Sequence, residues 1–184
     1  FLNDEEAAKV AEVFFNPRNH GVKPPAVGQT ANRLAEMAGI TVPYDTKVLV
    51  YETGDTSHDN PWANEKLTTL LGMFKADTLD EAYDICAKLV FEAGAGHSAA
   101  LYVDPTEEDK INRFAEKMKA GRILINTPTA FGGIGDLYNF DLAPSLTLGP
   151  GAVGHSAYMG NTQYEQLLDI KVVAMRKENM LWLQ

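Results

Sequence analysis

The residues able to do chemistry are few and sit near sequence breaks. His97 follows Gly94-Ala95-Gly96 at the end of a helical stretch, just before an apolar run that opens at Ala99. A histidine there can take up and release a proton near neutral pH, and loops at the ends of strands and helices are where α/β folds place their sites. By itself the position reads equally as a site residue and as a cap on the helix end. Glu65, in Asn64-Glu65-Lys66-Leu67, stands between a polar loop and an apolar strand. A carboxylate in that place can accept hydrogen bonds from sugar hydroxyls, but without further context a surface acid paired with nearby lysines is the better reading.

Cys86 is the single cysteine. It falls on the apolar stripe Leu79, Ala82, Leu89 and Ala93, where a cysteine acts as a small hydrophobe and its thiolate is suppressed. It therefore reads as core, not as a nucleophile. Gly149-Pro150-Gly151-Ala152-Val153-Gly154 matches G-x-G-x-x-G. That pattern brings phosphates to a helix N-terminus, but no clear helix follows it here, so it reads as a flexible or substrate-lining loop. His20, His58 and His155 fall in loops at spacings that suit no zinc motif, and no metal site is expected.

The elements that must position these residues follow from periodicity. Asn3 or Asp4 caps a first helix with the stripe Ala7, Val10, Ala11 and Phe14, and Asn16-Pro17 ends it. Thr30 starts a short helix that Gly39 closes. Strands are expected at Lys47–Tyr51, Leu70–Phe74, Ala99–Val103 and Arg122–Asn126. Thr78-Leu79-Asp80-Glu81 reads as a capping box for a helix ending at Gly94, and residues 106–119 form another helix with Ile111, Phe114, Ala115 and Met118 on one face. Strands alternating with helices, several of them apolar throughout, point to an α/β fold: three layers, with a mostly parallel sheet covered by helices on both faces. Residues 127–161, rich in glycine and proline, read either as a long functional loop or as a stretch whose elements the local pattern misassigns. One more strand is expected within residues 166–176, and Met180-Leu181-Trp182 lies in an amphipathic tail.

The 184 residues fit one domain, 1–184, with a core large enough to need no disulfide. A net charge of −9 argues against nucleic acid and anionic membrane as partners, and no run approaches a membrane span. The single cysteine suits a reducing cytoplasm. The start, Phe1-Leu2-Asn3-Asp4, has neither an initiator methionine nor the basic end of a signal peptide, so the chain is expected to begin inside a longer gene product.

Read in one register over nearly the whole chain, several segments resemble the CoA-acylating aldehyde dehydrogenases, above all the aldehyde dehydrogenase half of bifunctional aldehyde-alcohol dehydrogenases. They are Arg122-Ile-Leu-Ile-Asn-Thr-Pro128, Gly132-Gly-Ile-Gly-Asp-Leu-Tyr-Asn-Phe140 and Leu142-Ala-Pro-Ser-Leu-Thr-Leu-Gly149. Gly94-Ala-Gly-His-Ser98 resembles the family's histidine loop, Asn64-Glu-Lys-Leu67 its glutamate motif, and Glu178-Asn-Met-Leu-Trp182 the segment that ends the domain.

The resemblance implies roles. Glu65 would bind the nicotinamide ribose of NAD, and Leu148 would line the nicotinamide pocket. His97 would stand beside the reacting thioester as base or orienting group, and Gly132, Gly133 and Gly135 would open the substrate channel. It implies a small aldehyde and CoA as substrates, the rest of the same enzyme and a homo-oligomer as partners, and a C-terminal, substrate-facing piece of the domain. The family's cysteine nucleophile and nucleotide-binding half would lie upstream, leaving the isolated chain inactive. The alternative is an oligomerisation module of the same scaffold. Thr68 departs from the family's usual proline after the glutamate, and Pro150 and Val153 stand where a cysteine and a tryptophan are common.

Overall fold

The computed structural model describes residues 1–92, 95–132, 144, 148–162 and 164–175. Its first part is built on helix α1, Asp4–Phe14. The Asn3 side chain accepts from the Glu6 backbone N–H at 2.9 Å, and the Glu6 carboxylate accepts from the Asn3 N–H at 3.0 Å. That reciprocal cap, with acids in the first turn, starts the helix, which buries Ala7, Val10 and Phe14. Helix α2, Ala31–Met37, is capped by Thr30 and closes before Gly39, whose φ of 66° is one glycine adopts without strain. Strands β1, Leu49–Glu52, and β2, Leu70–Met73, pair in parallel, Leu49 opposite Leu70. They share one core with the helices: Val10, Phe14, Leu34, Leu49, Trp62 and Leu70 are buried in it.

The second part is a βαβ unit with a helix ahead of it. Helix α3 spans Leu79–Glu92, β3 Gly96–Leu101, α4 Glu108–Lys117 and β4 Ala120–Ile125. β3 and β4 are parallel, Ala99 opposite Ile123. Their core is Tyr83, Ala99, Phe114 and Met118, with Cys86 packed against it. Tyr83 meets Phe114 edge-on, ring centres 5.3 Å apart, and its hydroxyl donates to the Lys110 carbonyl at 3.0 Å. Asn126 ends the unit with φ 54°; its side chain accepts from the Val103 N–H and donates to the Val103 carbonyl.

The four expected strands and the parallel pairing are present. Among the described residues they form two parallel pairs, not one continuous sheet. Other expectations need correction. The Thr78 cap is only half a box: its hydroxyl accepts from the Glu81 N–H, but the Glu81 carboxylate accepts from Asp77. β3 begins at Gly96, three residues before the expected start, because the Gly96 N–H donates to the Lys119 carbonyl at 2.6 Å and brings Gly96 opposite Ala120. Residues 127–161 are not one loop. They hold a short helix α5, Thr129–Gly132, and an antiparallel pair, β5 Leu148–Pro150 and β6 Met159–Asn161. In place of the strand expected in residues 166–176, Tyr164–Leu167 is a 3-10 turn and residues 168–175 pair with no strand among the described residues, which do not include Arg176. Met180, Leu181 and Trp182 lie outside the described residues.

Candidate functional site

The connection from β1 to β2, residues 53–69, contains neither helix nor strand. Its backbone polar groups therefore pair through scattered backbone contacts, such as Asn60 N–H to the Ser57 carbonyl and Ala63 N–H to the Asn60 carbonyl, and through side chains. Asn60 is buried; its amide donates to the Thr53 hydroxyl and the Asp55 carbonyl, and its oxygen accepts from the Trp62 N–H. The Ser57 N–H on the Asp55 carboxylate holds that acid below its ordinary pKa. Trp62 pins the loop to the first core, 5.3 Å edge-on from Phe15 and 5.2 Å from Tyr51. β2 approaches so closely that a Cβ at Gly72 would collide with the Trp62 carbonyl.

Just beyond Trp62 the loop walls a pocket of about 430 Å³. Ala63, Asn64 and Glu65 form one side, Leu89 and Val90 of α3 another; His97 and Ser98 of β3 and Thr129 of α5 complete it. Two residues singled out in the sequence, Glu65 and His97, thus meet across one cavity. Both side chains are exposed to it. Among the described residues no lysine pairs with Glu65: the neighbouring Lys66 is buried and donates to the carbonyls of Trp62, at 2.7 Å, and Asn64. His97 lies inside β3, so it caps no helix. Its Nδ1 stands 2.6 Å from the Ser98 hydroxyl, which leaves Nε2 as the nitrogen able to meet a substrate.

The remaining candidates separate. Cys86 is half-buried, and burial pushes its thiol pKa up, away from the thiolate a nucleophile needs; it does not line the pocket that Glu65 and His97 share. The glycine pattern at 149–154 runs through β5 into a 3-10 turn, Ala152–Gly154, and lacks the helix a phosphate would need. Leu148 opens β5, which lies beside β3. Gly132 ends α5, whose Thr129 lines the pocket, while Gly133 and Gly135 lie outside the described residues. His20 and His58 pair loosely with Asp59 at 3.6 Å and Glu92 at 4.0 Å. No cluster able to hold a metal occurs among the described residues. Sequence reasoning missed Ser98, Thr129 and Lys66; only the first, next to His97, had a signal in the sequence.

No family model matches the chain. Individual proteins do. Over 182 residues it is 43% identical to the bifunctional aldehyde-alcohol dehydrogenase AdhE of Escherichia coli K12, covering 98% of this chain and 20% of that protein. The aldehyde-alcohol dehydrogenase of Clostridium acetobutylicum is 42% identical over 98% of this chain and 21% of its own. The crystal structure of an acetylating aldehyde dehydrogenase from Geobacillus thermoglucosidasius matches with a TM-score of 0.85 at 36% identity, covering 98% of this chain and 38% of that one. The chain belongs to the aldehyde dehydrogenases. More particularly it belongs to their CoA-acylating family, and it matches a stretch of the aldehyde dehydrogenase region of the bifunctional proteins, about a fifth of their length.

Proposed function

We propose that this chain forms the substrate-facing wall of an NAD-dependent, CoA-acylating aldehyde dehydrogenase, converting a small aldehyde such as acetaldehyde to its acyl-CoA in the cytoplasm. The observation that carries this reading is the meeting of Glu65 and His97 on one pocket. The pocket suits a nicotinamide riboside: it is large enough, part apolar through Leu89 and Val90, and has in Glu65 a carboxylate that no lysine pairs with among the described residues, able to accept from ribose hydroxyls. Bound NAD would supply the hydride acceptor. Glu65 holds the ribose and so fixes where the nicotinamide stands. His97, oriented through Nδ1 by Ser98, presents Nε2 to the acyl centre and takes the proton of the CoA thiol as its sulfur bonds to the acyl carbon, while the carbon–sulfur bond to the enzyme's cysteine breaks and that cysteine leaves as its thiolate. On this reading the nucleophilic cysteine and the nucleotide-binding half are supplied from outside the 184 residues, and the two parallel pairs belong to one larger three-layer sheet.

The test uses the full-length gene product that carries this chain. His97→Ala is expected to lower kcat by about a hundredfold or more with NAD affinity nearly unchanged. Glu65→Gln is expected to raise KM for NAD by about one to two powers of ten. The isolated chain is expected to show no aldehyde-dependent NAD reduction, with or without CoA. If Glu65→Gln leaves every NAD-dependent parameter untouched and His97→Ala merely unfolds the protein, both residues are structural and the reading fails.

The second reading, an oligomerisation role, is favoured by one feature. Leu167, Leu168, Ile170, Val172, Val173 and Met175 are all exposed, more contiguous apolar surface than a lone domain ordinarily leaves in water. We propose that this segment is covered in a homo-oligomer. Val172→Lys with Val173→Lys in the full-length protein is expected to reduce its sedimenting mass; an unchanged mass rejects the assignment.

A further inference from the structure

The residues flanking Glu65 reverse the ordinary order of burial. Lys66 is 9% exposed, while Leu67 beside it is 66% exposed. Long charged side chains are almost never buried unless paired, and no carboxylate pairs with Lys66 among the described residues. Its ammonium instead folds back beneath its own loop. Nζ donates to the carbonyl of Trp62 at 2.7 Å and to that of Asn64, the residues on either side of Ala63.

The rest of the loop is anchored around that tie. Trp62 is held in the first core, and Gly72 leaves room for its carbonyl and nothing more. Leu67 takes φ 45°, a left-handed conformation that a leucine adopts only when its surroundings impose it. Its carbonyl accepts from the Gly28 N–H at 2.9 Å. With both ends fixed and Lys66 drawn inward, the intervening Glu65 faces the pocket. An apolar residue at 66 would suit the buried place better, yet it could not satisfy the two carbonyls. A local rule broken in this way marks a position held for a purpose other than stability.

We propose that Lys66 is a positioning residue for Glu65: its buried ammonium ties the Trp62 and Asn64 carbonyls together and so holds the Glu65 carboxylate at the pocket. It touches neither substrate nor cofactor. The inference rests on the reading of Glu65 as the ribose ligand, and the experiment separates the two.

In the full-length protein, Lys66→Met, Glu65→Gln and the double variant are compared for KM and kcat, with hydrogen exchange of the amides at 63–67 as an independent measure. Lys66→Met is expected to raise KM for NAD about tenfold, with a smaller change in KM for CoA, and to speed exchange at 63–67. The double variant is expected to be no worse than Glu65→Gln, because both changes act on one contact. If Glu65→Gln raises KM and Lys66→Met does not, the inference falls and the ribose reading stands. If Glu65→Gln is silent, the ribose reading falls. Positioning is then decided by exchange alone: faster exchange in Lys66→Met supports it, and unchanged exchange overturns it. Should Lys66→Met fail to fold, Lys66→Gln, which keeps a donor, replaces it. Failure of both makes Lys66 a core residue and overturns the inference.

Discussion

The chain joins two parallel strand pairs by different means. β3 runs to β4 through the amphipathic helix α4, which satisfies its own backbone and drops Phe114 and Met118 onto the second core. β1 runs to β2 through residues 53–69, which have no such internal ladder and depend on Asn60, Trp62 and Lys66 instead. A helix is the stable solution for a parallel crossover. The polar loop gives up that self-sufficiency, and in return it can set Asn64 and Glu65 at a cavity that a helix would fill with its own side chains. The two regions meet there, Glu65 from the loop and His97 from β3.

The largest expected effects test whether the regions are energetically separate. Trp62→Ala and Phe114→Ala each empty a buried aromatic site and should cost about 3–5 kcal/mol in chemical denaturation. They should differ in what else they do: trypsin should cut after Lys66 much faster in Trp62→Ala, and at the normal rate in folded Phe114→Ala. Equal acceleration in both would show one cooperative unit and erase the distinction.

Next comes pH. Burial lowers the Lys66 pKa from 10.5 to about 8. Below about pH 8 the group is charged in both states, and burying that charge costs stability. Between about 8 and 10.5 the folded chain has released a proton that the unfolded chain keeps, so stability rises with pH across that window, by about 3 kcal/mol at most. The stability difference between the parent chain and Lys66→Met, measured at pH 7 and pH 10, should shift toward the parent by that amount. A constant difference would mean the ammonium is solvated.

Asn60→Ala should cost about 1–3 kcal/mol, since it strands buried loop groups without touching α4. It should be read by the same denaturation, and a neutral result would mean that water replaces the amide. The smallest effect belongs to the helical crossover. Asp80 with Arg113 and Asp84 with Lys117 tie α3 to α4 on the exposed side. Asp84→Asn should shift the midpoint less than Asn60→Ala does, and the shift should vanish in molar salt.

The helical region was the more legible in the sequence, and the contrast has a physical cause. The stripes of α4 and α1 are local patterns with a helical period: that of α1 appears where the periodicity placed it, and in that of α4 Phe114 and Met118 are buried while Ala115 is exposed. The start of β3 did not, because Gly96 joins the ladder through a partner, Ala120, that no local pattern reveals. Glu65 could be singled out by type and setting. Its freedom from lysine could not, since that depends on Lys66 turning toward carbonyls that only the folded loop brings together. In residues 127–161, glycine and proline concealed α5, β5 and β6, whose pairing is set by partners elsewhere in the chain.

The seat of Trp62 makes the glutamate loop visible to light. The chain has two tryptophans, and Trp182→Phe leaves Trp62 as its only indole. Buried between Phe15 and Tyr51, that indole should emit at short wavelength, shielded from iodide. Its carbonyl is the one Lys66 holds, so any ligand that draws Glu65 toward the cavity pulls on the fluorophore's own backbone. A titration followed by emission wavelength and quenching would then report occupancy of the pocket directly, with no turnover required.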